Sequence, residues 1–218
     1  EFLAMLAHEL RTPLAPISNA IRALRLGAPD LDVVHSAYEM LERQVRQMSR
    51  LVDDLLDVTR VTRSKIDLRT ERIDLATIVN QAVEAARPLY TSMNHELSVT
   101  SPPQSVYLDA DPARLAQVIG NLLNNAGKFT DRGGHVWLSV ELEGGQAVIR
   151  VRDNGIGIAA EELTRLFDMF AQVDTTLERS RDGLGIGLTL VRTLVELQGA
   201  TVEAHSGGLG RGSEFIVR

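Results

Sequence analysis

The stretch EFLAMLAHELRTPLAPISNAIRAL, residues 1–24, carries Leu3, Leu6, Leu10, Leu14, Ile17, Ile21 and Leu24 at steps of three and four. That spacing is the stripe of an amphipathic helix. Gly27-Ala28-Pro29-Asp30 breaks it, and Asp30 is an apt N-cap for the segment that follows. There Leu41, Val45, Met48, Val52, Leu55 and Thr59 alternate by four and three, a heptad-like pattern. Two long helices joined by a short break form an antiparallel hairpin. A lone hairpin buries both stripes poorly, so the sequence predicts a homodimer in which two hairpins make a four-helix bundle.

At about 100° per residue, His8 falls opposite the centre of the first stripe, with Thr12 one turn along the same outward face. An exposed histidine on a helix is ordinarily a solvated surface residue. Its company argues for more: Glu9 stands beside it, Thr12 follows at i+4, and Pro13 and Pro16 lie inside the helix. An interior proline removes a backbone hydrogen bond and bends the helix.

From Leu68 onward the periodicity shortens. Residues 68–73 read as a strand, Asp74 as a cap and 75–89 as a helix. Strands are expected at 96–100 and 105–108, around Pro102-Pro103. Asp111-Pro112 opens a helix through Ala126, with proline in its tolerated first turn. Gly133-Gly134 and Gly144-Gly145 bracket strands at 135–142 and 146–152. A helix at 186–198 and strands at 201–205 and 213–217 complete an α+β domain, with helices on one face of a mostly antiparallel sheet. The expected division is residues 1–65 and 66–218.

The chain has 218 residues, 44% hydrophobic and 24% charged, so it is long enough for two domains. Without cysteine, thiolate zinc sites, disulfides and cysteine nucleophiles are excluded. No apolar run reaches membrane-helix length, and the sequence is expected to be a soluble piece of a longer protein. The net charge of −6 disfavours nucleic acid as a main partner. Only Gly27 of the 17 glycines precedes residue 120, and Lys65 and Lys128 are the only lysines among 23 basic residues.

Two glycine motifs stand out. Asp153-Asn154-Gly155-Ile156-Gly157-Ile158 follows a strand, where a fixed carboxylate suits an adenine amino group and glycines admit the base to the backbone. Gly183-Leu184-Gly185-Ile186-Gly187-Leu188 opens the next helix, where backbone N–H groups can meet phosphate. Hairpin flexibility or helix packing would explain either motif taken alone. Neither the GxGxxG dinucleotide fingerprint nor a P-loop is present.

His8-Glu9-Leu10-Arg11-Thr12-Pro13-Leu14 resembles the H box of sensor histidine kinases, the transmitter half of two-component signalling. In family order behind it, Asn121 to Thr130 resembles the N box and Asp153 to Gly157 the G1 box. Phe167-Asp168-Met169-Phe170 resembles the F box and Gly183 to Leu188 the G2 box, with Gly208 to Phe215 the last glycine motif. The resemblance implies a helical hairpin that dimerises, followed by an α/β sandwich of the Bergerat type shared with gyrase, mismatch-repair and chaperone ATPases.

It further implies that His8 accepts the γ-phosphoryl group of ATP and passes it to an aspartate of a response regulator. Glu9 would hold the ring tautomer and take the proton, and Thr12 would orient water in a reverse phosphatase activity. Asn125 is the implied Mg²⁺ ligand, with Asn121 beside it. Lys128 would neutralise phosphate, with Phe129 next to it, and Asp153 would contact adenine, helped by Ser213 through water. Gly155, Gly157, Gly183, Gly185, Gly187 and Leu188 would line the nucleotide. Residues 171–182 would form a lid, hinged at Phe167 and Phe170.

The related ATPases carry a glutamate at the position of Asn121; an amide there leaves no base for hydrolysis. After the F box many simple sensor kinases have an arginine where this chain reads Ala171-Gln172. Arg179 or Arg181 is then expected at the γ-phosphate, and the variant resembles hybrid kinases. A sensor domain is expected upstream, and cytoplasmic placement follows from the ATP requirement. The competing readings are a catalytically silent ATP-binding scaffold and an ATPase of the gyrase or chaperone kind.

Overall fold

The structure is a computed structural model that describes residues 2–25, 31–62, 67–169, 171 and 185–218; over 2–10, 31, 46–47, 50–51 and 53–62 it describes the backbone alone. Helix α1 (Phe2–Arg25) runs through Pro13 and Pro16 without a break, and α2 (Leu31–Thr62) packs against it. Pro13, Ala20 and Ala37 are buried, whereas Leu14, Ile21, Tyr38, Val45 and Val52 are exposed. The expected stripe is therefore two strips. Pro13, Ile17, Ala20 and Leu24 face one direction, while Leu14 and Ile21 lie about 80–100° around the helix.

The second half begins with β1 (Glu71–Asp74) and α3 (Leu75–Met93). The Asp74 carboxylate accepts from the Ala76 N–H at 3.4 Å, as expected of a cap. Strand β1 begins three residues later than expected. Helix α3 extends beyond the expected end at Leu89 to Met93, where the left-handed Asn94 caps it. Then follow β2 (Glu96–Thr100), β3 (Tyr107–Ala110), α4 (Pro112–Phe129), β4 (His135–Glu143) and β5 (Gln146–Asp153). Helix α5 (Ala160–Leu163), α6 (Gly187–Leu197), β6 (Val202–His205) and β7 (Glu214–Val217) finish the chain.

Strand β3 sits two residues later than expected because it pairs with β1 in a separate antiparallel ribbon, Ile73 opposite Leu108. The main sheet has the order β2-β4-β5-β7-β6, antiparallel except for β2 beside β4. One face carries Val136, Leu138, Val140, Ile149, Val151 and Phe215 into a core shared with α3, α4 and α6. The other face carries Arg150, Arg152, Trp137 and Glu214. Strand alternation puts Asp153 on the helix-covered face, opposite Val136.

A buried carboxylate joins the start of this domain to its far side. Asp111 accepts from the N–H of Arg69 at 2.9 Å and of Arg114 at 3.1 Å, while its own N–H donates to Gln198 Oε1 at 2.9 Å.

Candidate nucleotide and phosphoacceptor site

Asp153 ends β5 at 4% exposure. Its Oδ1 accepts from the Gly155 N–H at 2.8 Å and the Ser213 N–H at 3.3 Å; its Oδ2 accepts from the Ser213 hydroxyl at 2.6 Å. Burial pushes this carboxyl above the usual carboxylate range, and the three donated hydrogen bonds pull it part of the way back. Ser213 thus touches Asp153 directly, which the sequence did not reveal.

The glycines around Asp153 do more than leave room for a ligand. A Cβ on Gly155 would lie 2.2 Å from the Phe129 carbonyl oxygen, and one on Gly212 would lie 1.9 Å from the Asp153 oxygen. Gly157, at φ +69°, would meet the Gly208 oxygen at 2.2 Å. Backbone bonds sew the same loops together: Ile156 N–H to Phe129 O at 3.0 Å, Gly210 N–H to Ile156 O at 2.7 Å and Gly212 N–H to Gly155 O at 3.1 Å. The end of α4, the loop after β5 and the loop before β7 form one unit through backbone contact.

Helix α4 presents the amides. Asn121, Asn125 and Lys128 lie at i, i+4 and i+7, all half-buried, so they share a face. Asn121 Nδ2 is buried with no hydrogen-bond partner among the described residues. Lys128 Nζ lies 4.9 Å from the centre of the Phe129 ring, within cation–π reach. Gly185, at φ +64°, and Gly187 lead into α6, where Leu188 packs against the core. Phe167, expected as a hinge, packs against that core, which gives it a structural role.

Among the other expected site residues, Thr12 is exposed on α1. His8 and Glu9 lie on the same helix, with only their backbone described. Phe170, Arg179, Arg181 and Gly183, and the expected lid except Ala171, lie outside the described residues. A cavity of about 220 Å³ opens elsewhere, beside Arg152, His205 and Glu214, and reaches the site only at Asp153, Gly212 and Ser213. No helix among the described residues is long and apolar enough to cross a membrane.

Comparison with known proteins agrees with this layout. Residues 1–64 match the His Kinase A (phospho-acceptor) domain, and residues 110–218 match the histidine kinase-, DNA gyrase B-, and HSP90-like ATPase family. The circadian input-output histidine kinase CikA of Synechococcus elongatus is 34% identical across the whole chain, which covers 29% of that protein. The sensor histidine kinase RcsC of Escherichia coli is 35% identical, again across the whole chain and over 23% of its own length. The chain thus spans about a quarter of these relatives. Full-length ShkA, solved in complex with AMPPNP, superposes with a TM-score of 0.70 at 30% identity, over 99% of this chain and 44% of that one. A helical hairpin within the span of the phospho-acceptor model, followed by an α+β domain within the span of the ATPase model, places the chain in the histidine kinase family.

Proposed function

We propose that this chain is the catalytic core of a protein-histidine kinase that phosphorylates His8 from ATP and hands the phosphoryl group to an aspartate of a response regulator. The observation that carries the nucleotide half is Asp153: a buried carboxylate whose protein donors leave acceptor capacity on the helix-covered face. Such a group suits an adenine amino donor. The division into a phosphoacceptor part, 1–65, and an ATP-binding part, 66–218, is supported by the change from long helices to mixed sheet.

In the reaction an imidazole nitrogen of His8 attacks the γ-phosphorus. The N–P bond forms as the bond to the β,γ-bridging oxygen breaks, ADP leaves with that electron pair, and Glu9 takes the ring proton. A carboxylate oxygen of the receiver aspartate then attacks the same phosphorus, and His8 regains a proton. Lys128, together with Arg179 or Arg181, offsets phosphate charge. Gly155, Gly157 and the G2-box glycines Gly183, Gly185 and Gly187 line the nucleotide, and Thr12 orients water for the reverse reaction.

Asn125 offers an amide oxygen, the donor type a hard divalent cation takes, and the buried Asn121 Nδ2, a hydrogen-bond donor with no partner among the described residues, suits an acceptor such as a phosphate oxygen. Asn125 is the proposed Mg²⁺ ligand; the ion when bound draws charge from the transferring phosphoryl group.

Homodimerisation is supported by the uncovered apolar strip. Leu14 and Ile21 on α1, with Tyr38, Val45 and Val52 on α2, are each at least 44% exposed in the single chain. They lie beside the faces the two helices already share, as a second hairpin requires. The ATP requirement supports placement in the cytoplasm, with a sensor domain elsewhere in the full-length protein.

Incubation with γ-labelled ATP should yield an acid-labile, base-stable phosphoprotein. Equal labelling of His8→Gln would overturn the assignment.

A further inference from the structure

Helix α4 carries the amide row on one face and is gripped from the opposite face. Helix α3 ends at Asn94, whose φ of 54° is left-handed, and the His95 N–H closes the turn on the Tyr90 carbonyl at 2.9 Å. This reversal returns two side chains to α4. Tyr90, 4% exposed, donates its hydroxyl hydrogen to the Leu123 carbonyl at 2.9 Å. His95 Nε2 lies 2.9 Å from the Gly127 carbonyl oxygen. A carbonyl only accepts, so Nε2 carries the hydrogen. The Tyr90 and His95 rings meet edge to face, with centroids 5.8 Å apart.

Gly127 belongs to the last turn of α4, where carbonyls run out of intrahelical donors. His95 therefore acts as a side-chain cap for one of them. The close approach depends on Gly127 itself, since a Cβ there would lie 2.9 Å from Leu89 Cδ2 and 3.4 Å from Tyr90 Cε2. At about 100° per residue, Leu123 and Gly127 share one face, and Asn121, Asn125 and Lys128 cluster roughly opposite. Burial raises the Tyr90 phenol well above its ordinary range, with Asp153 adding to the effect, so the hydroxyl keeps its proton and remains a donor.

We infer that Tyr90 and His95 are positioning residues for the phosphate end of the nucleotide site: by holding the Leu123 and Gly127 carbonyls they fix the last two turns of α4 and so aim Asn121, Asn125 and Lys128. The inference rests on the nucleotide reading above. It separates two ends of one ligand, for the adenine end is assigned to Asp153, whose own donors are Gly155 and Ser213 and not side chains of α4.

Calorimetric titration with adenosine alone, and with the non-hydrolysable analogue AMP-PNP plus Mg²⁺, tests it on the whole chain. Tyr90→Phe and His95→Leu are expected to weaken Mg²⁺–AMP-PNP binding about tenfold, the scale of one hydrogen bond, while adenosine binding stays within about twofold. His95→Gln, whose amide can still donate to the Gly127 carbonyl, should recover most of the loss. Parallel weakening of both ligands, or no weakening of either, overturns the inference, as does failure of His95→Gln to differ from His95→Leu. Asn125→Ala keeps the two levels apart. If it loses AMP-PNP while His95→Leu does not, only the clamp is wrong; if the parent binds neither ligand, the nucleotide reading itself falls.

Discussion

In the hairpin, Thr12 sits exposed on an unbroken helix, one turn beyond the proposed acceptor position, and the apolar surface is only half covered. In the ATP domain the opposite holds: Asp153 is buried, and the loops around it touch one another backbone to backbone at Gly155, Gly157 and Gly212. On the proposed reading, the first region keeps its chemistry on one side chain of a regular element and leaves its packing to a second copy. The second completes its own packing and takes its chemistry from where loops are pinned. A change to a side chain should therefore silence the hairpin without unfolding it, whereas a single methyl can unfold part of the ATP domain.

The largest effect should separate the two regions cleanly. His8→Gln is expected to abolish incorporation of label while thermal melting and AMP-PNP affinity stay at parent values; a drop in nucleotide affinity would break the contrast. Next comes Gly155→Ala, whose Cβ must displace the Phe129 carbonyl. It should destabilise the ATP domain by about 2–4 kcal/mol, read as a fall in its melting transition. Gly120→Ala is the control within the same domain: Gly120 lies inside α4 with nothing near its Cβ position, and alanine should stabilise by up to about 1 kcal/mol.

Asp153→Asn should lower nucleotide affinity about 10- to 100-fold, the scale of a hydrogen bond to a charged group, by calorimetry, without altering dimerisation. Its pH dependence has a definite sign. Because burial raises the folded-state pKa, the native chain holds this proton more tightly than the unfolded chain between the usual value and the raised one. As pH rises through that window, Asp153's contribution to stability falls. Nucleotide affinity rises over the same window, because the ionised carboxyl is the better acceptor. The two curves should slope in opposite directions, and in Asp153→Asn both slopes should lose this component. In the hairpin, Ile21→Asp with Val45→Asp should shift sedimentation toward monomer, since each would bury an unpaired charge in the dimer. The ATP domain's melting should stay unchanged.

Regular elements were legible wherever a local signal sets them. The stripes marked α1 and α2, Asp74 and Asp111 marked helix starts, and the paired glycines at 133–134 and 144–145 bracketed β4 and β5 closely. Features set by distant partners were not. Strand β3 moved because β1, more than 30 residues away, fixes its register. The parallel pairing of β2 with β4 has no local mark, and the four-residue helix α5 is too short for a periodic one. In the site, residue types and order pointed to Asp153, Asn121, Asn125 and Lys128. The grip of Tyr90 and His95 was invisible because it runs through the backbone carbonyls of Leu123 and Gly127.

The Asp111 carboxylate, which holds the Arg69 N–H, sets a tether length. Helix α2 ends at Thr62, and seven residue steps of fully extended chain reach at most about 25 Å. However the ATP domain swings, its anchor point cannot leave the end of α2 by more than that. The space the nucleotide can sweep is thus a bounded shell around the hairpin's end, and lengthening this link would enlarge the shell without touching any residue of the site.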